Sequence, residues 1–254
     1  MNILLIDLDG VLRVEGRPAS GINEFLSYIY NSNRPACVIS NSTLTNAEMV
    51  KIFFDKNDID FRIPIMTCAD AAFNFVKNNF NTAAVYCSEP VKSMFNQIPE
   101  SGNPDAVVIG DMGREWNYEI INKIFKQVYS GSKLIAMQKN RYWSNVEDGL
   151  LIDAGAFVTA IEYAAQTEAL LIGKPSPHYF YEALNTLGFE HSQKFIMLGD
   201  DLETDIKGAH NLGAESILIY TGKTKFPYDK TGGIKPTYEA RNLIEAIKIL
   251  EKVK

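Results

Sequence analysis

The chain opens with an unbroken apolar run, Ile3-Leu4-Leu5-Ile6, that ends abruptly in Asp7-Leu8-Asp9-Gly10. No other stretch restricts the fold as strongly. Apolar residues without polar alternation describe a strand buried on both faces, the kind found in the middle of a parallel sheet. Side chains at i and i+2 leave a strand on the same side, so Asp7 and Asp9 are expected to project together from its carboxyl end. Ligands bind at that end in open α/β sheets. Gly10 lets the chain leave the strand by a route that a side chain would obstruct.

The same strand-then-helix alternation recurs downstream. Ile22, Phe25, Leu26 and Ile29 fall at helical spacing, and a second apolar strand follows at 36–39. This strand–helix–strand order favours parallel pairing with a right-handed crossover. The second strand ends in Ser40-Asn41-Ser42-Thr43, and Thr45-Asn46-Ala47-Glu48 has the pattern of a capping box, placing a helix that runs to about Phe54. A strand at 63–66 and a helix at 71–76 come next. Strands at 83–86, 105–109 and 134–137 then alternate with helices at 91–95, 118–128 and 157–165. That section has none of the acid-rich strand ends seen outside it and reads as an insertion. The last third returns to the first pattern. A strand at 169–172 ends in Gly173-Lys174-Pro175, with a helix starting at Pro177. A strand at 195–198 ends in Gly199-Asp200-Asp201-Leu202-Glu203-Thr204-Asp205. A helix at 204–212 stops at Gly213, a strand spans 216–220, and a helix over 238–253 closes the chain. The expected class is α/β, a Rossmann-like core with a central parallel sheet formed by residues 1–70 and 169–254, with an inserted α/β domain at 71–168.

Composition narrows the partners. The 254 residues carry a net charge of −6 and no Lys/Arg-rich run, so a nucleic-acid partner is not expected. No apolar stretch is long enough to span a bilayer. The N-terminus places acids where a secretory signal would be apolar, and is not expected to be one. The three cysteines, Cys37, Cys68 and Cys87, follow no metal or disulfide pattern, which suggests a reducing, cytoplasmic setting. The histidines His178, His191 and His210 follow no metal or triad spacing.

Polar groups therefore stand at four strand ends: Asp7 with Asp9, Ser40 with Asn41, Lys174, and Asp200 with Asp201 and Asp205. A parallel sheet brings its strand ends to one edge. Two carboxylates about 4 Å apart repel by roughly 4 kcal/mol at an effective dielectric near 20, and Lys174 alone supplies too little positive charge for this many acids. A divalent cation held by oxygen ligands answers that repulsion, with Mg2+ the expected ion. Phosphate is an anion that suits both the ion and Lys174.

In these residues the sequence resembles the haloacid dehalogenase superfamily of phosphohydrolases. The motifs stand in order as Asp7-Leu8-Asp9-Gly10-Val11, Ser40-Asn41, Lys174-Pro175 and Gly199-Asp200-Asp201-Leu202-Glu203-Thr204-Asp205. The run Gly173-Lys174-Pro175-Ser176-Pro177 and the placing of the insertion resemble subfamily IIA, the NagD-type and 4-nitrophenylphosphatase-like enzymes, in which the insertion is an α/β (C2-type) cap. The stretches Leu134-Ile135-Ala136 and Asp148-Gly149-Leu150 resemble the phospholysine phosphohistidine inorganic pyrophosphate phosphatase group.

The resemblance implies a Mg2+-dependent phosphatase acting on a small phosphorylated metabolite. Asp7 would be the nucleophile, forming an aspartyl-phosphate. Asp9 would protonate the leaving oxygen and then activate water. Asp7, the Asp9 carbonyl and Asp200 would hold the metal, while Asp205 and Asp201 would act from behind those ligands. Ser40, Asn41 and Lys174 would grip the phosphoryl oxygens. An Asp at position 9 argues against dehalogenation, whose leaving group needs no proton.

In the cap, Gly110-Asp111 and Lys139-Asn140-Arg141 are the specificity candidates, with Tyr142 and Trp143 beside them. Lys139 and Arg141 are expected to favour an anionic leaving group. Caps of this type carry dimer contacts in relatives, which admits a homodimer. Alternatives are cleavage of pyrophosphate or a phosphoamide, phosphotransfer between substrates, and a receiver-like signalling domain without turnover. A receiver domain is a much shorter chain with no insertion.

Overall fold

The computed structural model describes residues 2–145, 147–228 and 233–253. They divide into two compact units: Met1–Ser40, Ala47–Met66 and Lys174–Lys254 form one, and Asn41–Asn46 with Thr67–Gly173 form the other. Among the described residues no helix is long and apolar enough to cross a membrane.

The first unit is built on a six-stranded sheet in the order Tyr238–Ala240, Glu215–Ile219, Phe195–Gly199, Ile3–Ile6, Ala36–Ser40 and Ile65–Thr67. The strand Ile3–Ile6 lies between Phe195–Gly199 and Ala36–Ser40 and is parallel to both, with Ile6 opposite Leu198 on one side and Val38 on the other. Its four residues are all buried, as are those of both neighbours. Continuous apolar runs thus occupy the middle of the sheet, where both faces need covering. The helix Ile22–Ser32 supplies Ile22, Phe25, Leu26 and Ile29 to that cover, and Leu243–Leu250 supplies Leu243, Ala246 and Leu250.

The second unit has its own four-stranded parallel sheet, ordered Leu170–Leu171, Lys133–Ala136, Ala106–Ile109 and Ala83–Tyr86. Its core joins Val107, Ile109, Leu134 and Ala136 from the strands to Ile124 and Val128 of the helix Tyr118–Tyr129 and Val158 and Ile161 of Ala154–Ala165. The helix Cys68–Asn79 begins on a reciprocal cap, in which the Thr67 hydroxyl accepts from the Asp70 N–H while the Asp70 carboxylate accepts from the Thr67 N–H.

Several elements differ from the expectation. The division falls at Gly173 rather than at residue 168, because Leu170–Leu171 hydrogen-bonds to Lys133–Ala136 of the second sheet. On the other side it falls at Thr67 rather than 71, since the Thr67 cap starts the helix earlier than 71–76, and residues 41–46 also join this unit. The helix expected over 238–253 is shorter. Tyr238–Ala240 instead pairs as an edge strand with Ile217–Ile219, and Asn242 restarts the chain as a helix by accepting the Glu245 N–H at 3.0 Å. Tyr142–Asn145 and Gly149–Ile152, for which the sequence pattern predicts no element, pair as antiparallel strands.

Candidate active site

Asp7 follows directly on the central strand and is held there by its N–H, which donates to the Leu198 carbonyl at 2.8 Å. Its carboxylate is buried and accepts from Lys174 Nζ at 2.5 Å. The same ammonium stands 2.8 Å from Asp205 Oδ1. Lys174 lies three residues before the helix Pro177–Thr186, where Tyr179 donates its hydroxyl proton toward the carbonyls of Ser40 and Met66 at 2.8 and 2.9 Å. That bond fixes the end of the Ser40 strand. Ser40 is itself buried.

The neighbouring strand delivers the other acids. After Gly199 the chain makes a wide helical turn, Leu202–Ile206, in which the Asp205 and Ile206 N–H groups both reach the Asp201 carbonyl at 3.0 and 3.2 Å. Wide turns of this kind recur at functional sites. This one swings the Asp205 carboxylate back onto the N–H groups of Asp200 and Asp201, each at 3.1 Å. A Cβ on residue 199 would overlap that carboxylate, which explains the glycine. The sequence pattern places a helix at 204–212; the α-helix proper is Lys207–Asn211, because residues 202–206 are used to turn Asp205 inward.

Carboxylate oxygens of Asp7, Asp200 and Asp205 all lie within 4.8 Å of one another, and all three residues are buried. Burial is the main cause that raises each of them. Asp200 is pushed up to about 7, with Asp205 adding to the effect of burial. Asp7 and Asp205 are also raised, although Lys174 offsets part of the shift in both. For Lys174, burial pulls downward, but Asp205 and Asp7 more than reverse it and the net shift is upward. The lysine therefore stays charged between Asp7 and Asp205. A donor set made only of carboxylate oxygens fits a hard divalent cation such as Mg2+ and not a soft metal.

The remaining expected residues fall as follows. Asp9 does not project with Asp7. The strand ends at Ile6, and the Asp9 side chain, 52% exposed, pairs with Arg13. Asp201 accepts from the Glu203 N–H at 2.8 Å, starting the wide turn, and binds Lys223 Nζ at 2.6 Å. Asn41 belongs to the second unit, where its Oδ1 occupies the space that a Cβ on Gly173 would need. Lys139 also lies in that unit, its Nζ paired with Glu162 at 2.7 Å. Asp111 is buried there and accepts from the Gly113 N–H at 2.9 Å. Arg141 lies 5.9 Å from the Tyr142 ring centroid.

Three groups at the first unit's site lie outside the sequence motifs. Arg13 is one. The others are Thr221, whose hydroxyl donates to the Gly10 carbonyl at 2.5 Å, and Lys223, whose N–H donates to Asp200. The signal for the last two was present: Tyr220-Thr221-Gly222-Lys223 places a hydroxyl, a glycine and a lysine at one more strand end.

Residues 171–246 match the Hydrolase_like family model, described as HAD-hyrolase-like. The chain is 33% identical over 228 residues to haloacid dehalogenase-like hydrolase domain-containing protein 2 of Bos taurus, covering 88% of this chain and 85% of that one. It is 31% identical over 258 residues to phospholysine phosphohistidine inorganic pyrophosphate phosphatase of Homo sapiens, covering 97% and 93%. Among solved structures, NagD from E. coli K-12 aligns with a TM-score of 0.82 at 25% identity, over 96% of this chain and 98% of that one. The chain belongs to the haloacid dehalogenase superfamily of phosphohydrolases. Within it, the chain falls in the NagD-type branch, subfamily IIA.

Proposed function

We propose that this chain is a Mg2+-dependent phosphatase acting on small phosphorylated metabolites, with Asp7 as nucleophile. The observation that carries this reading is the burial of Asp7, Asp200 and Asp205 together, carboxylates within 4.8 Å, around an ammonium already bound to two of them. An arrangement this costly in repulsion is kept for charge that arrives with a ligand.

Asp7 and Asp200, with the Asp9 carbonyl, would hold Mg2+, which when bound supplies positive charge to offset the phosphoryl oxygens. An oxygen of Asp7 attacks phosphorus and the bond from phosphorus to the leaving oxygen breaks. Asp9 gives that oxygen its proton, leaving an aspartyl-phosphate and the free alcohol. Asp9 then takes a proton from water as the water oxygen attacks phosphorus. The bond to Asp7 breaks, inorganic phosphate leaves, and both acids are restored. Lys174 and Ser40 grip the phosphoryl oxygens as charge spreads over them. Asp205 keeps Lys174 in place, and Asp201 orders the turn that carries Asp205.

The second unit is read as the cap that selects the substrate, and a homodimer through it follows the pattern of its branch. Three free, buried cysteines support a cytoplasmic setting. Cleavage of pyrophosphate or a phosphoamide is a second reading, favoured by the 31% identity to a protein named for those substrates.

Phosphate release from a panel of phosphorylated metabolites, including pyrophosphate and phosphohistidine, measured with and without Mg2+, decides between the two. Mg2+-dependent turnover of phosphomonoesters supports the first reading. Turnover confined to pyrophosphate or phosphoamides supports the second, and a single phosphorylation without turnover would contradict both.

A further inference from the structure

Asp9 is the one expected catalytic acid outside the buried cluster, and its surroundings assign a task to a residue that the family motifs leave out. The Arg13 guanidinium grips Asp9 as a two-pronged fork, Nε to Oδ1 at 2.7 Å and Nη2 to Oδ2 at 3.0 Å. Exposed ion pairs of this kind often contribute little, because both side chains are free to wander. Arg13 is not free. Its side chain is only 14% exposed, and its guanidinium lies 5.4 Å from the Phe53 ring centroid. Its backbone is tied into the Asp9 turn itself, with its N–H donating to the Leu8 carbonyl at 2.9 Å and its carbonyl accepting from Gly10 at 2.7 Å. The short hairpin of Arg13–Val14 with Arg17–Pro18 holds it from the far side. The fork is therefore a fixed part of the turn and dictates which way the Asp9 carboxyl faces.

We propose that Arg13 is the positioning residue for Asp9. The two-pronged fork fixes the direction in which the Asp9 carboxyl faces, so that it meets the reacting oxygen in the same pose in each half of the cycle. This rests on the reading of Asp9 as the proton carrier. A planar fork fixes the carboxyl through both oxygens, whereas a lysine offers a point charge without that geometry.

The test compares the wild type, Asp9→Asn, Arg13→Ala, Arg13→Lys and the double variant Asp9→Asn/Arg13→Ala on p-nitrophenyl phosphate with Mg2+. Arg13→Ala should lower kcat by about tenfold or more with KM within about twofold, and Arg13→Lys should recover only part of the loss. In the Asp9→Asn background, removing Arg13 should change kcat by no more than about twofold, because its effect runs through Asp9. An unchanged kcat in both Arg13 variants, or an Arg13→Ala loss that persists in full without the Asp9 carboxylate, overturns the proposal while leaving the phosphatase reading intact. Should Arg13→Ala fail to fold, Arg13→Lys and Arg13→Gln carry the same comparison. A wild type with no Mg2+-dependent hydrolysis overturns the underlying reading, and this proposal with it.

Discussion

Lys174 and Asp7, 167 residues apart in the chain, are joined by an ion pair of 2.5 Å in which both side chains are buried. A second ion pair from the same ammonium, 2.8 Å to Asp205, makes Lys174 the common partner of acids from two adjacent strand ends. One lysine thus ties together the first strand and the strand Phe195–Gly199.

Removing that partner should be costly. Lys174→Met would leave Asp7 and Asp205 buried without their cation, and breaking a buried pair on one side typically costs about 3–5 kcal/mol. Urea unfolding should show a loss of that order, and phosphatase activity should fall below detection. A variant that is inactive yet as stable as the wild type would mean that the ammonium serves only the substrate.

Stability in the absence of metal should depend on pH in a definite direction. Asp200 is raised from 3.8 to about 7, so the folded chain holds a proton that the unfolded chain has given up. The native state then binds more protons than the unfolded one, and stability falls as pH rises between those values. In EDTA, Tm should decline from about pH 4 to about pH 7, and added Mg2+ should raise it most at the alkaline end. A Tm that rises with pH in EDTA would contradict the crowding of these acids.

Gly222 should be indispensable. A Cβ there would overlap the Asp200 carboxylate and press on the Gly10 backbone. Gly222→Ala should raise the Mg2+ concentration needed for half-maximal activity by about tenfold or more, as expected when an essential ligand is displaced. Gly102→Ala, with nothing within 4 Å of the added methyl, is the control and should match the wild type.

What could be read in advance follows from the kind of physical signal involved. Asp7, Ser40, Lys174, Asp200 and Asp205 all sit where an apolar run or a turn stops, and parallel pairing alone brings such stops to one edge. Arg13 gave no such signal. A charge between a strand and a helix looks like any solvated loop residue until its fork is seen on Asp9. Leu170–Leu171 pairs in the second sheet rather than the first, because an apolar run specifies burial but not which strand it pairs with. The inward swing of Asp205 depends on a widened turn that ordinary helical periodicity cannot encode. Tyr238–Ala240 carries a charged residue at its centre and packs at an edge, where neither helix nor strand periodicity is strong. The pairing of Lys139 with Glu162 at 2.7 Å joins residues 23 apart in the chain, a contact that sequence spacing does not reveal.

The most direct measurement is acid-quenched single turnover with a phosphorylated substrate and Mg2+, followed by mass analysis of the peptide containing Asp7. The account predicts one added phosphoryl group on Asp7, absent in Asp7→Asn and chased away by longer incubation. Turnover at a normal rate in Asp7→Asn, or a phosphoryl group on any other residue, would contradict it.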